Sequence, residues 1–308
     1  MAAVPQDRAL ADAAALARVT VVTVTYNSAH CVPALADGLG ALPHVTVVDN
    51  ASADDSVAAV QRSLPQARVL QMPANRGYGV ANNAGIAQAT TPYVLLLNPD
   101  CLVTGQQIAE LVRLADADAE SAMWVPQLVD GEGGLEVNYS MPRHHGAPRT
   151  GAAEGPLCVG YACAAVLLIH RERMAPVGFF DPLFFLYYED EDLCLRAFDA
   201  HLPIVVLPQV RIAHLSRGSV RGPRPRAAEY WRGWHHAQSK IRFTAKHQGA
   251  DAGARLLARS LRNALLHVAV RVVLVSPRLL ARAWGRLQGL RQLRREGLAS
   301  AAPGAGRG

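Results

Sequence analysis

The 308-residue chain has five cysteines (Cys31, Cys101, Cys158, Cys163, Cys194) but no Cys-x-x-Cys pair and no even framework. A structural zinc site and a disulfide-stapled secreted domain are therefore not expected, and the cysteines read as small buried hydrophobes in a reducing compartment. The N-terminus does not read as a secretory signal either: MAAVPQDRALADAAALARV carries Asp7 and Asp12 and has no basic start followed by an apolar block. A cytoplasmic location is therefore the expectation. No apolar run near the C-terminus reaches the roughly 20 residues that span a bilayer. The longest, Leu265 to Val275, is broken by His267 and Arg271, so it can lie on a membrane rather than cross one.

Lysine is absent after Gly249, where eleven arginines face only Asp251 and Glu296, a net of +9 against −3 for residues 1–250. The high isoelectric point, near 9.3, thus belongs to the tail. Basic residues are not spread over the body with aromatics between them, and nucleic acid is not an expected partner.

What is present is a core-forming chain, half hydrophobic by count. The β-branched run Val19 to Thr25 (VTVVTVT) and His44 to Val48 read as buried strands, with Ala67 to Gln71 and Tyr93 to Leu97 as a third and fourth. Helix-like stretches lie between them: Val32 to Leu42 with Pro33 in its first turn, Ser52 to Leu64 behind a Ser-Ala-Asp-Asp cap, and Val80 to Ala89. This alternation predicts an α/β fold with a parallel sheet covered on both faces.

Such sheets bind ligands beyond the carboxyl ends of their strands. Polar triplets stand at those ends: Thr25-Tyr26-Asn27, Asp49-Asn50-Ala51-Ser52, and Asn98-Pro99-Asp100. Each alone is turn chemistry; three at successive strand ends point to a site. The second half departs from the alternation. Val159 to His170 is apolar, and Gly178 to Tyr188 holds four of the six phenylalanines before four consecutive acids, Glu189 to Asp192. Ile204 to Leu207 reads as a short strand followed by a loop to His214, residues 216–226 as a basic Gly/Pro-rich loop, and the rest as helix.

The glycines of NRGYGVANNAG (Gly77, Gly79, Gly85) fit neither the dinucleotide fingerprint nor a P-loop, which disfavours hydride transfer and ATP hydrolysis; a turn with a tightly packed helix and a ligand contact both remain open. Among the four acids, Asp192 and Arg196 are four apart on a presumed helix, and Asp190, preceded by aromatics, is the candidate general base. His214 with Asp100 would complete an oxygen- and imidazole-ligated site suited to Mn²⁺ or Mg²⁺.

Taken together, VTVTYN, VVDNASAD, NRGYGVANNAGI, LLLNPD, FFLYYEDEDLCLR and His214 resemble the inverting family 2 glycosyltransferases, in particular the bacterial rhamnosyltransferase-like branch that builds surface polysaccharides. The resemblance covers about residues 18 to 245. It implies a GT-A (Rossmann-like) fold, a nucleotide-sugar donor (dTDP-rhamnose or a UDP-sugar) and a divalent metal. Carried over by position, Thr25, Tyr26, Asn27, Asp49, Asn50 and Ser52 would surround the donor nucleotide, with Gly77, Asn82 and Asn83 lining its pocket. Asn98-Pro99-Asp100 takes the place of the Asp-x-Asp signature, with Asn98 a ribose or sugar contact. The resemblance assigns the metal to Asp100 and His214, the catalytic base to Asp190, and acceptor-side or orienting roles to Glu189 and Asp192. CVGYAC (158–163) and GFFDP (178–182) depart from the family pattern on the acceptor side. The rival reading is a catalytically silent nucleotide-sugar or polysaccharide-binding module on the same fold.

The expected organisation is an N-terminal segment (1–17), a glycosyltransferase domain (18–249, with a donor half over 18–104 and an acceptor half over 105–249) and a basic helical tail (250–308). In the tail Leu, Val and Ala alternate with arginines (Arg255, Arg259, Arg262, Arg278, Arg282, Arg286). That pattern suits either the anionic inner face of the plasma membrane, where a lipid-linked acceptor would be found, or packing on the rest of the protein.

Overall fold

A computed structural model describes residues 5–141, 151–215, 225–274 and 276–298; most of the basic loop expected over 216–226 lies outside them. The described residues fall into two compact units. One draws on Met1–Pro73, Ala81–Phe180 and Leu193–Arg221, the other on Ala74–Val80, Asp181–Asp192 and Gly222–Gly308.

The first unit opens with α1 (Pro5–Leu16), β1 (Val19–Thr25), α2 (Val32–Leu39), β2 (Val45–Asp49), α3 (Ser56–Ser63) and β3 (Arg68–Gln71). Next come α4 (Tyr78–Ile86), whose first turn belongs to the other unit, and β4 (Tyr93–Leu97). Strands β3, β2, β1 and β4 are parallel neighbours in that order. Every residue of β1, β2 and β4 is buried, as strands covered on both faces require. Helix α3 starts four residues later than the Ser-Ala-Asp-Asp cap suggested. Ser52 turns back to Asp49, and Asp54 accepts from the amide and hydroxyl of Ser56 (3.0 and 2.5 Å), so those polar residues build a turn instead of a helical one.

After β4 the sheet becomes mixed. β5 (Cys101–Leu102), α5 (Gly105–Asp116), β6 (Met123–Val129), β7 (Leu135–Glu136), β8 (Tyr139–Ser140), β9 (Leu157–Val159), β10 (Tyr161–Ala162), β11 (Val166–His170), α6 (Arg171–Met174), α7 (Glu189–Asp199) and β12 (Ile204–His214) follow. β11 lies antiparallel between β4 and β6, β12 runs parallel to β6, and β5 closes the order β3-β2-β1-β4-β11-β6-β12-β5. Helix α5 is fixed by a reciprocal cap: Thr104 accepts from the Gln107 amide while the Gln107 side chain accepts from the Thr104 amide.

β12 corrects the expectation of a short strand and a loop. The strand continues through Pro208 with an irregularity between Leu207 and Arg211, then pairs with β5 in the register His214↔Cys101. Proline removes one ladder donor, and an irregularity is where a strand tolerates that.

In the second unit α8 (Pro225–Gln248), α9 (Ala250–Val273) and α10 (Pro277–Glu296) share one core of Ala237, Ile241, Leu257, Ala264, Leu287, Leu290 and Leu293. The helices of the basic tail therefore pack on α8. Close approach comes from glycine: a Cβ on Gly285 would stand 1.9 Å from the Tyr230 carbonyl oxygen, and one on Gly233 would stand 2.1 Å from that of Arg282. Buried Glu229 clamps α10 to α8 by meeting Arg232 (3.0 Å) and Arg278 (3.1 Å).

Candidate functional site

At the carboxyl ends of β1 and β2 one carboxylate organises the turn. Asp49 accepts from the Thr25 hydroxyl (3.0 Å), the Ser52 amide (2.9 Å) and the Ser52 hydroxyl (2.5 Å). Ser52 Oγ in turn accepts from the Asn27 amide (2.9 Å), Asn27 Oδ1 accepts from the Ala53 amide (2.8 Å), and the Asn50 amide donates to the Thr25 carbonyl (2.8 Å). Asn27 and Ala51 adopt positive φ (52° and 63°), which bends both chains at the strand ends. A carboxylate offers about four acceptor positions, so three internal bonds leave Asp49 about one for a ligand. Thr25, Asn27, Asp49, Asn50 and Ser52 thus form one bonded cluster, and the Tyr26 amide donates to Ser28 beside it (3.1 Å).

At the end of neighbouring β4, Asp100 is almost fully buried, and the β5–β12 register brings His214 to it from the far edge of the sheet order. His214 Nε2 lies 3.6 Å from Asp100 Oδ1, and its Nδ1 lies 3.5 Å from Glu136 Oε2. Burial pulls the imidazole pKa down, but the carboxylates of Asp100 and Glu136 outweigh it and hold the group above its ordinary value. Asp100, His214 and Cys101 offer ligand atoms within 4.8 Å of one another. Burial, then the Asp100 charge, push the Cys101 thiol well up, and Sγ donates to the Ala165 carbonyl (3.6 Å), so it stays a neutral thiol. The donors that fit a cation are then a carboxylate and an imidazole, with a second carboxylate behind the imidazole, a set suited to Mn²⁺ or Mg²⁺. Glu136 carried no sequence signal, because it sits on a two-residue strand outside any motif.

Asn98 is half-buried at the head of this turn, with its carbonyl accepting from the Cys101 amide (3.1 Å). Asn82 is buried on α4. The Asn83 side chain is engaged at both ends by the Phe180 backbone, donating at 2.7 Å and accepting at 3.0 Å, which ties α4 to the Phe179–Phe180 segment.

Gly77, Glu189, Asp190 and Asp192 belong to the second unit. Gly77 has φ +89°, and a Cβ there would stand 2.1 Å from the Phe185 carbonyl oxygen, so glycine is required by the backbone itself. Tyr187 and Tyr188, directly before the acids, are both left-handed (φ 68° and 69°), a costly conformation for aromatic residues and one that accumulates at functional turns. Glu189 is buried, and its Oε2 has no hydrogen-bond partner among the described residues. Burial, then the neighbouring Asp190 and Glu191, raise its pKa well above the ordinary carboxylate value, which favours the protonated form. Asp190 is only half-buried, its Oδ1 accepting from the Glu191 amide (2.9 Å).

Asp192 is fully buried and meets Lys246 Nζ (2.6 Å) and His247 Nε2 (2.8 Å) from α8, while Lys246 also reaches Asp181 (2.6 Å). Arg196, the partner suggested by sequence spacing, turns its guanidinium to the carbonyls of Val177 (2.8 Å) and Phe179. Lys246 and His247 had no sequence signal, since long-range partners of a buried acid carry no spacing rule.

Residues 20–170 match the model of glycosyl transferase family 2. The chain is 29% identical over 239 residues to the N-acetylglucosaminyl-diphospho-decaprenol L-rhamnosyltransferase of Mycobacterium tuberculosis, an alignment covering 67% of this chain and 76% of that one. In fold it is similar to the mannosyltransferase PcManGT of Pyrobaculum calidifontis, solved with GDP-Man and Mn²⁺ (TM-score 0.52, 18% identity, 90% of this chain and 87% of that one). It is likewise similar to residues 1–349 of S. aureus TarS (TM-score 0.52, 15% identity, 89% and 91% covered). The expected GT-A fold is borne out by these likenesses.

Proposed function

Because residues 20–170 carry a glycosyl transferase family 2 domain on a GT-A fold, we propose that the protein transfers a sugar, with inversion, from a nucleoside-diphosphate donor to a hydroxyl group. The acceptor is a glycan or lipid-linked saccharide of cell-surface polysaccharide synthesis. The observation that carries this reading is the juxtaposition of Asp100 with His214 at the end of β4, one strand from the Asp49 cluster on β1 and β2. A rhamnosyltransferase acting on a diphospho-decaprenol substrate, by its name, is among the relatives. dTDP-rhamnose, with UDP-sugars next, is accordingly the first donor to test.

In this reading Asp49, ordered by Thr25 and Ser52, holds the donor nucleotide with its remaining acceptor position, and Tyr26, Asn27 and Asn50 line the same turn. Asn82 and Asn98 contact ribose or sugar; Asn83 and Gly77 contribute by shaping backbone. Asp100 and His214 would hold Mn²⁺ or Mg²⁺, which would neutralise charge developing on the departing diphosphate. Asp190 is the base that accepts the proton of the attacking hydroxyl, since an alcohol is a poor nucleophile until that proton begins to leave. Glu189 is buried with its pKa raised, and the half-buried Asp190 is the more accessible carboxylate of the pair. Asp192, tied to Lys246 and His247, fixes the turn from which Asp190 projects.

The test is a panel of nucleotide sugars with Mn²⁺ or Mg²⁺, read by thermal protection and by release of nucleoside diphosphate. Metal-dependent protection with slow hydrolysis of one donor is expected. Tight binding of a donor with no product under any metal and acceptor would instead identify a silent binding module.

A further inference from the structure

Six of the fourteen exposed large hydrophobics among the described residues fall in ten consecutive positions at the end of α9. They are Leu265, Leu266, Val270, Val272, Val273 and Leu274, with Val273 at 78% exposure and Leu266 at 65%. Most of the rest of the helical unit is satisfied: α9 buries Gly253, Leu257 and Ala264, and α10 buries Leu287, Leu290 and Leu293 in the core shared with α8. Exposed apolar surface is thus concentrated where α9 runs out toward the start of α10, which adds exposed Leu279 and, farther along, Trp284. The sequence alone suggested an apolar stripe along the whole tail; packing on α8 consumes most of that stripe and leaves the tip.

The charge around this tip selects its occupant. Residues 252–295 contain ten arginines and not one acid or lysine. A second copy of the same surface would bring arginines against arginines, which disfavours a two-fold dimer through this face. Nucleic acid would match the arginines but leave the leucines and valines in water. An anionic bilayer surface satisfies both, with apolar side chains in the acyl boundary and guanidinium groups at the phosphates. No helix among the described residues is long and apolar enough to cross a membrane, so the contact is interfacial.

We infer that the α9–α10 tip is a membrane-docking element that binds anionic phospholipid surfaces. This goes beyond the transfer reaction and does not depend on the sugar or acceptor used.

The full chain should cosediment with phosphatidylcholine vesicles containing 30–40% phosphatidylglycerol, roughly the anionic content that gives polybasic segments their hold, and much less with phosphatidylcholine alone. The double variant Leu266→Glu/Val273→Glu, both positions outward and unpacked, should keep wild-type helicity and melting temperature yet partition at least about tenfold less. Arg259→Gln/Arg262→Gln, both exposed, should weaken partitioning several-fold and flatten its salt dependence. Absence of wild-type binding, or binding unchanged by the glutamate pair, overturns the proposal. So does sedimentation velocity showing that the glutamate pair converts a wild-type dimer to monomer, because a second copy would then cover the tip. Donor protection measured without lipid reads the transfer hypothesis separately, so either can fail alone.

Discussion

His214 Nδ1 lies 3.5 Å from Glu136 Oε2 while its Nε2 lies 3.6 Å from Asp100 Oδ1. A carboxylate behind the imidazole sets its tautomer and orientation, so that the nitrogen facing Asp100 is the one with a free lone pair when the ring is neutral. Glu136→Gln should therefore weaken Mn²⁺-dependent donor protection by about 10–100-fold without removing a ligand. Asp100→Asn and His214→Ala, which do remove one, should weaken it further. Calorimetric titration of Mn²⁺ with nucleoside diphosphate present checks the order.

Asp190→Asn should leave donor binding intact and lower turnover by roughly 10²–10⁴-fold, the usual worth of a positioned base. Near-normal product formation by this variant, followed by chromatography of the released nucleotide, would remove Asp190 from the mechanism.

Lys246→Met strips one of the two basic side chains that meet the fully buried Asp192 carboxylate. With His247 still in place at 2.8 Å, the expected loss is about 1–3 kcal/mol. Asp192→Asn should cost less, because the amide can still bond His247 and Lys246 keeps Asp181 at 2.6 Å. Denaturant midpoints of the two variants compare them directly.

Gly285→Ala places a methyl 1.9 Å from the Tyr230 carbonyl oxygen, a backbone atom that cannot rotate away. Helix α10 must lift from α8, at a cost of about 1–3 kcal/mol and several degrees of melting temperature. Gly155→Ala, with nothing within 4 Å of the new carbon, should leave the melting temperature unchanged.

His235 stacks on Phe185 (ring centroids 4.3 Å apart), and burial, then the Arg242 charge, lower its pKa to about 4. The unfolded chain takes up the proton near pH 6.5 while the folded one resists until about pH 4, so this contribution is present above pH 6.5 and is lost as pH falls toward 4. Between pH 7.5 and 5 the native protein should lose about 2 kcal/mol more stability than His235→Phe, which has no proton to take up. Parallel urea curves for both proteins at the two pH values measure the difference, and equal losses would place His235 in water.

Local pattern made the first, parallel half of the sheet legible. Strands β1 and β4 run over the residues that the β-branched and aliphatic runs marked, because a buried parallel strand needs a continuous apolar segment and a polar turn after it. The same turns announced Asp49, Asn50, Asn98 and Asp100. Less could be read where a residue's role depends on a distant partner. Pro208 hid the continuation of β12, and with it the pairing that carries His214 to Asp100.

Sequence by itself therefore determined the strand-turn chemistry at the carboxyl ends of β1, β2 and β4, the acid run and the lopsided charge of the tail, all of which follow from periodicity and composition over neighbouring positions. Tertiary structure alone decided that Glu136 stands behind His214, that Lys246 and His247 meet Asp192, and that α10 spends most of its apolar face on α8. Those pairings are set by sheet register and by which groups burial forces together, and neither quantity is local along the chain.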